Sequence, residues 1–300
     1  MEKLVECIPN FSEGRSLEVV ERLVDIVRSG GAELLDYSSD PDHNRTVITY
    51  AGDMQDVVET AFKLARQAVE EIDMRSHSGV HPRIGALDVL PLVPLENTTL
   101  DDCISAAREL GKRLGKELQL PVYYYGYAAR NALHVRLSDL RRGGLEGLKK
   151  RMLYNPDWRP DEGPGYLHPT AGAVALGVRK PLIAYNVNLR SDDLKAAQRI
   201  AAHIRERGGG LHGVDALGVR LAEAGMVQVT VNLRDRGLTS LDMIYDDICT
   251  AAAEEGITVD SGELIGMIPL DEVMRVFGRA TGLSGVGPER VLEWKLKEKN

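Results

Sequence analysis

Two rhythms of apolar residues alternate along this chain, and the switches between them mark its elements. Residues 4–8 form a short apolar run in the manner of a strand, and Leu17, Val20, Leu23, Val24 and Val27 then fall three and four apart, the spacing of one helical face. Gly30 and Gly31 stop that helix. A second strand is predicted over 32–37, a polar turn over 38–44 and a β-branched strand over 46–50, so the two strands can pair antiparallel. The next helix covers 54–72, with Val57, Val58, Ala61, Leu64, Ala65 and Val69 on its apolar face, and a strand over 84–92 follows. This order is β-α-β-β-α-β, extended by a helix over 100–118 and a strand over 122–125.

The second half repeats the order without obvious identity. A strand over 182–189 and a helix over 192–206 lead into strands at 217–221 and 226–233 around a turn at 223–225, and then into a helix over 241–254 and an extended run at 257–268. The reading is an α/β (α+β) fold of two split β-α-β units, each a sheet with helices on one face. Between them, residues 154–172 carry Pro156, Pro160, Pro164 and Pro169 with Gly163, Gly165 and Gly172, which reads as the domain boundary. The subdomains are expected at 1–180 and 181–300.

Length agrees with this division, since 300 residues is about two domains at roughly 150 residues each. With 43% apolar and 27% charged residues, a wholly disordered or fibrous chain is excluded. The 37 basic and 45 acidic residues leave a net charge of −8, which argues against a nucleic-acid or anionic-membrane binder while leaving room for a local basic channel. Cys7, Cys103 and Cys249 are scattered and odd in number, so neither a disulfide framework nor a CxxC metal site is suggested. Met1 leads straight into Glu2 and Lys3, and no apolar run approaches the roughly 18 residues of a bilayer span, so a cytoplasmic protein is expected.

Imidazole titrates near neutral pH, so the seven histidines are the first candidates for chemistry. His134 and His203 read as structural, His212 as a loop residue, and His43 sits in a polar turn beside Asn44 and Arg45. His77 and His81 stand apart, in S-H-S-G-V-H-P-R over 76–83, between an amphipathic helix and a buried strand. A spacing of four suits two metal ligands on a helix, but Gly79 weakens a helix, Pro82 turns His81 away from α geometry and no Glu follows His77. A polar turn and a general acid/base histidine at a strand entry remain, with Arg83 nearby to attract an anionic substrate. The second candidate is Gly163, Pro164, Gly165, Tyr166, Leu167, His168, Pro169, Thr170, Ala171 and Gly172, where small residues either stiffen a crossover or let a ligand approach the backbone. Neither GxGxxG at a strand-to-helix turn nor a P-loop is present, so both nucleotide readings lose support.

V-E-C-I-P-N-F-S-E-G at 5–14, N-R-T at 44–46, H-P-R-I-G-A-L-D-V at 81–89, G-P-G-Y-L-H-P-T-A-G at 163–172 and R-K-P-L-I-A-Y-N-V-N-L at 179–189 together resemble the glutamate formimidoyltransferase family. The similarity covers nearly the whole chain, reaching Asn232 and Leu233, and is to the free-standing bacterial-type transferase, because the chain ends where the bifunctional animal enzyme continues into a cyclodeaminase domain. The resemblance implies two ferredoxin-like subdomains with folate in a groove between them, and a homodimer. The implied reaction moves the formimidoyl group from N-formimidoyl-L-glutamate to N5 of tetrahydrofolate, a co-substrate, with no metal, in histidine degradation. The family's catalytic histidine falls on His81 and its folate-binding segment on Gly163 to Gly172. One departure is Ser38, where animal members carry an acidic residue two positions after the aspartate matching Asp36; a carboxylate partner for the histidine is then Asp40 or absent. Arg45, Arg83 and Arg179 are candidates for a substrate carboxylate or for ion pairs. Formyl transfer from N5-formyltetrahydrofolate to glutamate, and folate binding without turnover, are the rival readings.

Overall fold

The computed structural model describes residues 3–79, 82–221 and 225–297. Its contacts divide the chain into two compact units, Met1–Pro181 and Leu182–Asn300.

The first unit opens with β1 (Leu4–Cys7), inside the expected run of 4–8, and β2 (Asn10–Phe11), which the apolar pattern did not predict; the two are broken apart where Pro9 has no N–H to give a ladder. Helix α1 (Leu17–Arg28) buries Val20, Leu23, Val24 and Val27, the face its spacing predicts. A hairpin of β3 (Glu33–Asp40) and β4 (Arg45–Asp53) follows, longer than its β-branched stretch because polar side chains continue the pairing: the Ser39 and Thr46 hydroxyls lie 2.7 Å apart. The Asp53 carboxylate accepts from Gln55 N–H to start α2 (Met54–Glu71), and β5 (Leu87–Pro94) comes next. A capping box between Thr99 and Asp102 starts α3 (Leu100–Glu117), which leads to β6 (Val122–Gly126).

In space β3, β4, the broken first strand and β5 lie side by side, all antiparallel. Beyond β5 the sheet goes on with β7 (Val174–Val178), which runs parallel to both β5 and β6 and lies between them. A parallel connection needs a long crossover. Helices α4 (Leu137–Leu140) and α5 (Gly144–Tyr154) and the Pro/Gly-rich residues 154–172 supply it. That stretch is therefore built into the first unit and does not link two domains, as its composition had suggested. One face of the sheet packs on α1, α2 and α3 around Leu23, Ile48, Leu64, Leu90 and Leu110. A smaller core on the other face joins Tyr123, Leu140, Leu148 and Trp158, with the Tyr123 hydroxyl donating to Trp158 O at 2.8 Å.

The second unit holds β8 (Ile183–Leu189), α6 (Leu194–Ile204), β9 (Val214–Leu221), β10 (Met226–Leu233), α7 (Leu241–Glu254) and β11 (Val259–Ile265), followed by α8 (Leu270–Thr281) and α9 (Leu292–Lys297). Its strands stand in the order β11-β8-β10-β9, all antiparallel, and α6 and α7 share a core with Val187, Leu189, Val229 and Val231. Within the expected turn at 223–225, Glu223 and Ala224 lie outside the described residues. Among the described residues no helix is long and apolar enough to cross a membrane.

Candidate active site

At one end of the first sheet, segments far apart in sequence meet. Ser12, just past β2, donates its hydroxyl to Gly85 O at 2.7 Å and its N–H to Ala86 O at 2.8 Å, fixing the entry to β5. The β3–β4 turn ends at Asn44, held at φ 47°, a backbone conformation asparagine tolerates better than most residues. Its side chain is used at both ends: Oδ1 accepts from Gly14 N–H at 3.0 Å and Nδ2 donates to Ser78 O at 3.0 Å. Gly79 lies so close to His43 that a Cβ there would stand 2.4 Å from the His43 carbonyl oxygen. The N-F-S-E-G, N-R-T and S-H-S-G stretches are thus fastened to one another by side-chain and backbone bonds.

His77 is held on both ring nitrogens. Arg83 Nε–H donates to Nδ1 at 2.9 Å, so Nδ1 is an acceptor and the ring proton sits on Nε2, which reaches Asn44 O at 3.1 Å. The Arg83 NH2 group also donates to His77 O at 3.2 Å. Burial holds the His77 pKa below its ordinary value, so the imidazole is neutral near pH 7. With both nitrogens engaged, His77 offers no lone pair to a metal. His81 lies outside the described residues; the chain on either side of it, at His77 to Gly79 and at Arg83, is tied down by the bonds above.

β5 begins at Leu87, three residues later than its apolar pattern suggests, because Ile84 is buried by a crossing and not by a ladder. Ala86 N–H donates to Ala171 O and Ala173 N–H to Ile84 O, both at 2.9 Å, and Gly85 bridges Gly172. At Gly172 φ is 71° and a Cβ would stand 2.5 Å from Ile84 O, so both its backbone angle and its surroundings require glycine. Where β2 meets β5 the register slips, Asn10 facing Val89 and Phe11 facing Leu87, which makes Asp88 the extra residue of a bulge. Its buried carboxylate accepts from Ile84 N–H at 2.7 Å and pairs with Arg141, just past α4.

A shallow pocket opens here, lined by Phe11 and Ser12, by His43, Asn44 and Arg45 of the hairpin, and by His77, Arg83 and Asp88. Arg45 lies half-buried with its Nε sealed from solvent and without a hydrogen-bond partner. Burial, and after it the charge of Arg141, weigh against its protonated form, opposed by Asp88 and Asp40. Asp40 accepts from His43 N–H at 2.8 Å and its other oxygen stands 3.9 Å from His43 Nε2.

The glycine-rich candidate divides in two. Thr170 O accepts from Met74 N–H at 2.8 Å, and with the 84–86 crossing this ties residues 170–173 to the chain that flanks His81. His168 is a neutral turn clamp: burial lowers its pKa, and Nδ1 accepts from Ala171 N–H at 3.0 Å. At the other end Gly163 packs on Gly115 of α3 and on Leu120 O, Tyr166 is 63% exposed, and nothing lies within 4 Å of where a Gly165 side chain would start. Of the three arginine candidates, Arg45 and Arg83 line the pocket; Arg179 does not, and donates to Lys180 O beside Glu6 and Tyr125. His134 is a core residue, 1% exposed between the Tyr123 and Trp158 rings at 5.3 and 5.1 Å. Sequence reasoning assigned no role to Asp88 or Arg141, although an aspartate inside L-D-V-L-P-L-V is itself a signal that a charge has a buried partner.

Residues 4–179 match the family model for the formiminotransferase domain, N-terminal subdomain, and 184–278 the model for the formiminotransferase domain. The chain belongs to the formiminotransferase family. It is 41% identical to a glutamate formimidoyltransferase of Streptococcus pyogenes serotype M1, with 92% of each chain covered, and 38% identical to one of Thermoplasma acidophilum, with 98% of each covered. A formimidoyltransferase-cyclodeaminase of Sus scrofa is 43% identical over 91% of this chain and 52% of its own length. The protein is accordingly an enzyme of the group-transferring class.

Proposed function

We propose that the chain moves the formimidoyl group of N-formimidoyl-L-glutamate to N5 of tetrahydrofolate, releasing L-glutamate in histidine degradation. The observation that carries this reading is that residues 10–14, 44–46, 83–88 and 170–172, each inside a motif of the family resemblance, are bonded into one site together with the S-H-S-G stretch at 76–79. In the reaction N5 attacks the amidine carbon, giving a tetrahedral intermediate. Its collapse breaks the bond to the glutamate nitrogen, which gains a proton as N5 loses one. His81 is the proton shuttle in this proposal, supported by its place in H-P-R-I-G-A-L-D-V and by its anchored flanks. The neutral, doubly bonded His77 is a poor second choice, having no free nitrogen for a proton in transit. Folate is proposed to lie along Gly163 to Gly172, where Gly165 and Tyr166 leave a face open for a flat ring. A homodimer rests on the family resemblance alone and is tested by sedimentation.

The test is a single-turnover assay with saturating N-formimidoyl-glutamate and tetrahydrofolate, run beside N5-formyltetrahydrofolate with glutamate. The first pair is expected to react, and His81→Ala to slow it by about 10²- to 10⁴-fold with tetrahydrofolate binding retained. Near-normal transfer in the variant overturns the role of His81. Tight folate binding without transfer in either pair overturns the reaction.

A further inference from the structure

The cations around the pocket are unequally committed. Arg83 spends Nε and NH2 on His77, and its NH1 stands 3.9 Å from Glu146. Arg141 is paired with Asp88, and Arg15 donates to Pro41 O and Ser78 Oγ. The Arg45 side chain has neither a hydrogen bond nor an ion pair to any described residue, and its Nε is sealed from water. The two carboxylates that act on it are already engaged, Asp88 by Arg141 and Ile84 N–H, Asp40 by His43. Among the described residues the site is one acceptor short, a deficit echoed by Arg141, whose Nε is also buried without a partner there.

An uncompensated, half-buried guanidinium is costly to keep unless something completes it. A guanidinium is a planar fork of donors that matches a carboxylate in two parallel bonds. We propose that Arg45 is the receptor for a glutamyl carboxylate at this site, an assignment that rests on the transfer reaction proposed above. Both partners of that reaction carry such a group, the donor amino acid and the glutamate tail of the folate. Arg141, which shares the Asp88 carboxylate with Ile84 N–H, adds a local positive field to a chain whose net charge of −8 would otherwise repel either. The anion relieves the desolvated charge and, with the pocket wall at His77 and Asn44, sets where the substrate's nitrogen lies. Arg45 binds the substrate directly in this scheme and exchanges no proton.

The experiment compares Arg45→Met and Arg45→Lys with the unaltered protein, using L-glutamate and tetrahydrofolate binding by calorimetry and KM for N-formimidoyl-glutamate. Loss of a charge-assisted bidentate contact is expected to weaken one carboxylate ligand by roughly 10- to 100-fold, with lysine restoring part of it. Weakening confined to L-glutamate and the donor places the donor's carboxylate on Arg45; weakening confined to tetrahydrofolate, and absent with an analogue lacking the glutamate tail, places the folate tail there. A ligand-side control uses the unaltered protein alone: amidating the recognised carboxylate is expected to weaken binding by a similar roughly 10- to 100-fold, and unchanged binding of the amide would overturn the proposal. Unchanged affinities for both ligands, with transfer intact, overturn the proposal. Absence of transfer in the unaltered protein overturns the reaction instead, and the L-glutamate and amide arms still decide Arg45.

Discussion

Single residues at this site are fixed by hydrogen-bond counts more than by packing, and at His77 the count also sets the charge state. Its ring is an acceptor for Arg83 and a donor to Asn44 O, a division only the neutral imidazole can make. Burial, with Arg83 adding to it, depresses the pKa, and the bond to Asn44 opposes the shift without cancelling it. A base with a lower pKa folded than unfolded binds more protons in the unfolded state, so the stability from this site is whole above about pH 6.5 and is lost as the pH falls through the folded pKa. His77→Gln keeps an acceptor and a donor but cannot titrate. We expect its thermal midpoint to fall less than that of the unaltered protein between pH 7 and pH 5, His168 accounting for part of the slope that stays. His77→Phe, losing both bonds and leaving Arg83 Nε unanswered, should cost about 1–3 kcal/mol in denaturant unfolding at pH 7. Equal acid slopes in the unaltered and Gln proteins would remove the pH argument.

Among elements, those with a clear buried face were legible and those decided by a neighbour were not. Leu241–Glu254 and Met226–Leu233 fall where the apolar period puts them, because one face of each meets a core and the other water. β7 escaped notice: V-A-L-G-V follows a Pro/Gly-rich stretch, and Gly177 weakens its strand pattern for a reason no local window contains, the Tyr125 ring occupying the space of its side chain. At the site the motif residues were legible as a set, since the stretches at 5–14, 76–89 and 163–172 each carry a local oddity of glycine, proline or histidine and N-R-T directly follows His43. Arg141 carries none, and its meaning comes only from a carboxylate 53 positions away. The bulge that aims Asp88 makes this pair the element-level weak point. Asp88→Ala should cost about 3–5 kcal/mol by denaturant midpoint, because it strands a buried guanidinium and frees Ile84 N–H. The double variant Asp88→Leu with Arg141→Met should recover much of that loss. A double variant no more stable than Asp88→Ala alone would show that the bond to Ile84, and not the charge pair, dominates.

At the scale of the whole molecule, each of the two units has apolar cores drawn from its own residues. The buried clusters on the two faces of the first sheet draw only on residues from Val5 to Val178, and the cluster of the second unit on residues from Ile183 to Ala252. A cooperative unit needs its own core more than it needs the rest of the chain, and 181 residues is within the ordinary size of a domain. The first unit also contains every described residue that lines the pocket, from Phe11 to Asp88, and the supports on Arg141 and on residues 170–173. We therefore expect a fragment of residues 1–181 to fold by itself. Of the two tryptophans in the chain, the fragment retains only Trp158, which is 8% exposed against His134 and Arg151, whereas Trp294 is 45% exposed in the second unit. Tryptophan emission thus reads the fragment's own core, short-wavelength when folded and shifting sharply to the red on unfolding. The cost of Asp88→Ala should be the same in the fragment as in the full chain, because every bond the substitution breaks lies within the first unit. A fragment with red-shifted emission and no cooperative transition would mean that the first core depends on residues beyond 181, and the independence argued from the clusters would fall.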